Sequence, residues 1–200
     1  APAVTVFETA AHDEKAPEFY WAGQTVRHLG TVIHRYLSMI GKDGVKQLNE
    51  QLGNGQRVRE EKGRMRAVLQ SLGLNRVEAD KNADDAGRIL AGALNDPRLK
   101  WILKDHKEGA FEYALTAVID GSIVRSVIDR TFVDENDVRW IIDYKTGLHE
   151  GSAVEEFLKA EAGRYAAQLE KYANILIAAG EKRQIKKALY YPALLRWVEV

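Results

Sequence analysis

The hydrophobic period of this chain first changes near residue 105, and that change limits the folds open to it. Upstream, apolar residues recur at three- and four-residue steps, the spacing of amphipathic helices. Downstream, from 112, they alternate every second residue among β-branched and aromatic side chains, as strands do. The stretch 112–119 leads through Asp120 and Gly121, a hairpin-turn pair, into 123–133. Polar residues 134–137 turn the chain back into a third strand at 138–144. After a loop from Gly147 to Gly151, the helical period returns over 154–179 and stops at Gly180. A fourth strand is expected at 185–191 and a fifth at 197–200. This order predicts a mixed α/β domain preceded by an additional helical region.

The first helix is expected over 24–40. There Val26, Leu29, Ile33, Leu37 and Ile40 form one stripe, with Gly41 and Gly44 ending it. Residues 45–105 read as a helical block. Val45, Leu48 and Leu52 begin one stripe, broken at Gly53, Asn54 and Gly55. Met65, Val68, Leu69 and Leu72 form a second, closed by Gly73; Ile89, Leu90, Ala93 and Leu94 form a third. Asp96 before Pro97 marks an N-cap and first helical position of a short helix to 104. Residues 1–23, with Pro2 and Pro17, read as a lead-in segment, and 24–200 as a single domain. A chain that opens at Ala1 is expected to be cut from a longer one.

Composition removes several function classes. The 200 residues contain no cysteine, which excludes disulfides, Cys-ligated zinc, iron–sulfur clusters and thiol nucleophiles, and fits a reducing, cytoplasmic setting. Basic and acidic residues balance at 29 each, so the strongly basic coat of an autonomous nucleic-acid binder is missing. No stretch approaches the ~18 consecutive apolar residues of a membrane span. No Gly-x-x-x-x-Gly-Lys-Ser/Thr loop is present, so these residues do not form an ATPase by themselves.

The chemistry concentrates in 126–147, SVIDRTFVDENDVRWIIDYKTG. Alternation groups Val127, Asp129 and Thr131 on one face, and Ile141, Asp143 and Lys145 on one face of the next strand. A short turn joins the two strands, so they pair antiparallel and bring Asp129 and Asp143 together beside Lys145. Two close carboxylates repel unless a cation sits between them, and hard oxygen ligands with open positions suit Mg²⁺. A lysine two residues on can orient or deprotonate an attacking water, or neutralise charge building on a phosphate. His12, His28, His106 and His149, and the tryptophans at 21, 101, 140 and 197, read as packing residues.

In these residues the chain resembles the PD-(D/E)xK nuclease superfamily, and within it the C-terminal nuclease domain of RecB- and AddA-type bacterial helicase–nucleases. GTVIH at 30–34 is similar to that family's Gly-x-x-x-His element, QLEKY at 168–172 to its Gln-x-x-x-Tyr element, and Glu112 stands where it often carries a glutamate. Taken alone, His34 abuts an apolar stripe and fits a packed core histidine, Gln168 and Tyr172 fit ordinary helix residues, and Glu112 fits a strand-edge acid. The resemblance implies a restriction-endonuclease-like core, a mixed central sheet flanked by helices. It also implies Asp129, Asp143 and Lys145 as catalytic residues. The implied metal ligands are His34, Asp129, Asp143 and the backbone carbonyl of Tyr144, holding Mg²⁺ or Mn²⁺. Gln168, Tyr172 and Glu112 are then supporting or DNA-contacting residues. Zero cysteines set the chain apart from AddB-type relatives with an iron–sulfur cluster. The expected activity is exonucleolytic hydrolysis of single-stranded DNA in double-strand-break repair, with a helicase motor in the same full-length chain, a partner subunit and no membrane. The alternatives are an inactive nuclease-fold module that binds or scaffolds DNA, and a stand-alone phage-type recombination exonuclease.

Overall fold

The computed structural model describes residues 24–43, 55–119, 122–147 and 153–200. The expected lead-in, the stripe at 45–52, the hairpin turn at 120–121 and most of the loop before the long helix lie outside them. Among the described residues four helices come first: α1 (Gln24–Asp43), α2 (Gly55–Ser71), α3 (Arg76–Ala93) and α4 (Pro97–Leu103). Then follow β1 (Lys107–Ile119), β2 (Ser122–Val133), β3 (Arg139–Tyr144), α5 (Val154–Ala178), β4 (Ile185–Tyr191) and β5 (Arg196–Glu199). The strands form one five-stranded sheet in chain order. β3 and β4 are parallel, as a strand–helix–strand crossover allows, and the other neighbours are antiparallel.

The sheet separates two apolar cores. Leu29, Ile33, Leu37 and Ile40 of α1, with side chains of α2, α3 and α4, pack against Phe132, Trp140, Ile142, Tyr144, Ala188 and Tyr190. On the other face Leu158, Leu169, Tyr172, Ile175 and Leu176 of α5 meet Leu115, Ala117, Ile128, Ile141, Leu189 and Tyr191. Both faces of β3 are covered and all six of its residues are buried, as befits a strand between two layers. The expected mixed sheet with flanking helices is therefore present, with the helical region laid on one face.

Local signals explain several boundaries. Asp96 accepts from the Arg98 N–H and Pro97 opens α4, as its sequence predicts. Gly180 follows α5 at φ +101°, a left-handed conformation that suits glycine. Trp101 meets Trp140 and Trp197 edge-on or nearly so, and His106 stacks on Phe132, so these aromatics serve packing.

Two expected boundaries need correction. Gly41 lies inside α1 and does not end it. A Cβ there would fall 2.0 Å from Phe111 Cζ, so this glycine lets a strand ring press against the helix backbone. Strand β1 begins at Lys107, not at 112. Glu108 and Glu112 both adopt φ +50°, and the ladder shifts register between Lys107 and Ala110, which breaks the alternation that marks a strand in sequence.

A larger departure concerns the faces of β2. Ile128 belongs to the core under α5, yet Arg130 and Phe132, of the same parity, face the helical block. In β1, Phe111 and Tyr113 divide the same way. The sheet turns over between them, at the left-handed Glu112 and at Asp129. Val127, Asp129 and Thr131 therefore do not share one face. The buried Arg130 secures the turn: it donates to Ile102 O and Lys104 O at 2.9 Å each, capping the end of α4, and lies 4.0 Å from the Phe111 ring centre.

Candidate active site

The β2–β3 ladder stops at Arg130↔Ile142, whereas β3–β4 pairing continues to Tyr144↔Tyr190. Where the strands part, the Tyr144 N–H needs an acceptor. It donates to Asp129 Oδ2 at 2.8 Å, fixing that carboxylate across the gap. The same oxygen lies 3.4 Å from His34 Nδ1. His34 projects from α1, its ring set edge-on to Tyr144 at 5.8 Å between centres. Four residues earlier, Gly30 lets Thr146 close on the helix, since a Cβ at Gly30 would stand 2.6 Å from Thr146 Oγ1. The Gly-x-x-x-His spacing thus has a physical basis: the glycine admits the segment after β3 and the histidine meets Asp129 one turn on.

Asp143 and Lys145 stand on the α5 side. Lys145 Nζ is 2.8 Å from Asp143 Oδ2, with side chains 12% and 6% exposed. Gln168 of α5 donates to Asp143 Oδ1 at 3.4 Å and to the Tyr172 hydroxyl at 2.6 Å. The Lys145 ammonium also lies 3.6 Å from the centre of the Tyr165 ring. Gln168 and Tyr172 are therefore joined to the acid–lysine pair.

Charge interactions link the two halves. Burial drives the Asp143 carboxyl up to about 6, and the negative charge of Asp129 adds to it against the pull of Lys145. Burial also opposes ionisation of Asp129. The charge and hydrogen bond of His34, with the Tyr144 N–H, outweigh it and hold Asp129 below the usual carboxylate range. For Lys145, burial would lower the pKa, but the Asp143 carboxylate more than reverses it, so the ammonium stays charged.

Among the described residues, His34, Glu112 and Asp129 each offer a ligand atom, all within 4.8 Å of one another. Carboxylate oxygens with one imidazole nitrogen form a donor set that suits a divalent cation. The left-handed Glu112 sits opposite Asp129 if the β1–β2 register is carried through, and this places its carboxylate in the group. The sequence marked Glu112 only as a supporting acid. Asp143 is not one of these three; its Oδ2 faces Lys145 and its Oδ1 faces Gln168. Tyr165 was not singled out from sequence, although it lies three residues before Gln168 and so on the same helical face.

A family model described as the PD-(D/E)XK nuclease superfamily matches residues 10–197. The chain belongs to the PD-(D/E)XK nuclease superfamily. Nucleases of this superfamily use divalent metals, and the group at His34, Glu112 and Asp129 provides a fitting set of donors. No curated protein matches the sequence. Among solved structures, the chain is similar to protein VC1899 from Vibrio cholerae at 15% identity and a TM-score of 0.32, over 97% of this chain and 50% of that one. This PD-(D/E)XK chain thus spans about half the length of that relative. No helix among its described residues is long and apolar enough to cross a membrane.

Proposed function

We propose that this chain is a Mg²⁺- or Mn²⁺-dependent deoxyribonuclease domain of RecB/AddA type, hydrolysing DNA phosphodiesters exonucleolytically on single strands. Its setting in this reading is cytoplasmic double-strand-break repair, with DNA delivered by a helicase motor of the same full-length chain and a partner subunit. The observation that carries the activity is the convergence, at one end of the sheet, of the Asp143–Lys145 pair with Asp129, His34 and Glu112. The Gly30/His34 and Gln168/Tyr172 elements, both joined to that end, support the RecB/AddA assignment.

His34, Glu112 and Asp129, with Asp143 and the Tyr144 carbonyl, would hold the metal. A bound divalent ion supplies Lewis-acid polarisation of the phosphate and a more acidic water. The chain's own residues do the rest. Lys145 keeps its charge and offsets the negative charge that grows on the phosphate during in-line attack. Gln168 orients Asp143 while Tyr172 orients Gln168. The Tyr144 N–H keeps Asp129 turned toward His34. Beside His34, Arg27 and Arg35 stand exposed on α1, two turns apart, and offer positive charge to a passing phosphate backbone.

The test is cleavage of linear single-stranded DNA by wild type, Asp143→Ala and Lys145→Ala, with Mg²⁺ and with EDTA. Metal-dependent cleavage that falls by about 10²–10³-fold in each variant is expected. Equal activity in all three, or cleavage indifferent to EDTA, refutes the proposal. Binding of single-stranded DNA without turnover in wild type would favour the scaffold alternative.

A further inference from the structure

We propose that Tyr165 is a positioning residue for Lys145, its ring face retaining the ammonium when Asp143 is engaged by a divalent cation. The inference rests on the nuclease reading and assigns a role to a residue outside the two sequence elements that support it. Lys145 ends in a compact charge on a flexible four-carbon stem, so its position depends on what surrounds the ammonium. Among the described residues two partners do so: Asp143 Oδ2 at 2.8 Å and the Tyr165 ring centre at 3.6 Å. An ammonium over a ring face is held electrostatically, more strongly where water is largely excluded, and the Lys145 side chain is only 12% exposed.

The two partners differ in what else they do. The Asp143 carboxylate is shared with Gln168 and, in the proposed function, with the metal. A carboxylate given to a cation attracts a second cation less. The ring has no such second duty toward the metal. Helix α5 fixes both supports together, since Tyr165 and Gln168 are three residues apart and meet Lys145 and Asp143 side by side. The packing of Leu158, Leu169 and Tyr172 beneath the sheet sets the height of that helical face. The ring thereby keeps Lys145 in place without competing for ligand positions.

The experiment compares wild type, Tyr165→Phe and Tyr165→Leu by steady-state cleavage of single-stranded DNA and by NMR of lysine labelled with ¹³C at the ε-carbon. The Lys145 signal is assigned by its loss in Lys145→Met. Tyr165→Leu is expected to lower kcat about tenfold to a hundredfold, with KM within about twofold of wild type, and Tyr165→Phe to recover most of kcat. The Lys145 ε-protons should be shifted upfield by the ring in wild type and Tyr165→Phe, with and without saturating Mg²⁺. In Tyr165→Leu the shift should vanish while the thermal midpoint holds. A Tyr165→Leu kcat equal to wild type, a Tyr165→Phe as impaired as Tyr165→Leu, or an upfield shift that Mg²⁺ abolishes would each overturn the inference. The two readings fail separately. Absence of metal-dependent cleavage in wild type removes the nuclease reading while the NMR result still decides the Lys145–Tyr165 contact. An active enzyme with an unshifted Lys145 removes the Tyr165 inference alone.

Discussion

Glu112 shows how much chemistry can depend on one backbone angle. At φ +50° it occupies a conformation that costs a non-glycine residue on the order of 1–3 kcal/mol, and such residues cluster at functional sites. In return its carboxylate comes within 4.8 Å of the donor atoms of His34 and Asp129. Replacing Glu112 by Ala should weaken Mn²⁺ binding by about 10–100-fold in a calorimetric titration, while Lys171→Ala, exposed on α5, should leave it unchanged. Equal affinities in the two variants would remove Glu112 from the ligand set. The sequence allows Asp143 and Lys145 to be paired because alternate residues of one regular strand share a face. It does not disclose what Glu112 does, since the left-handed turn that aims it leaves no periodic trace. Tyr165 was hidden differently. An aromatic on a half-buried helix face is ordinary, and only the strand beneath it reveals a lysine.

Helix α1 carries two separate duties. Its inner face meets the sheet so closely that the Phe111 ring occupies the space of a Gly41 side chain. Gly41→Ala should therefore destabilise the chain by about 1–3 kcal/mol, visible as a lower urea midpoint with unchanged slope. An unaltered midpoint would show that the ring can move aside freely. Its outer face bears Arg27 and Arg35, neither in an ion pair among the described residues. Removing either should flatten the salt dependence of single-stranded DNA binding by about 0.7 in the log–log slope, measured by anisotropy in EDTA. Slopes indistinguishable from wild type would place the strand elsewhere. The stripe that buries α1 was legible from its spacing. The role of Gly41 was not, because a glycine near a helix end signals termination and a close crossing with the same letter. The mixed strand order was legible only in part: turns between β1, β2 and β3 announce antiparallel neighbours, and a long helix before β4 announces a crossover.

Across the whole molecule, the sheet is tied at its foot and open at its head. At the foot, Arg139 pairs with Glu108 and, at 2.7 Å, with Glu181, while Arg183 bridges Glu108, Glu181 and Asp137. Burial opposes the charge on Glu181, but the Arg183 backbone N–H and Arg139 overcome it and bring its pKa down to about 2, from 4.5. A carboxyl lowered on folding stabilises fully above its unfolded pKa, and that contribution is lost as pH falls through the folded value. The stability gap between wild type and Glu181→Gln should therefore be constant above about pH 5 and shrink between pH 4.5 and about 2 in acid-unfolding curves. A gap independent of pH would mean that the network contributes through packing alone. At the head, β2 parts from β3 beside Asp129, and Glu112, in the left-handed conformation, stands opposite it on β1. Exchanging that one residue for glycine would relieve the backbone at the expense of the carboxylate beside His34 and Asp129. Selection for heat resistance alone should thus drift toward substitutions at this rim, trading the acidic cluster away for a sturdier scaffold.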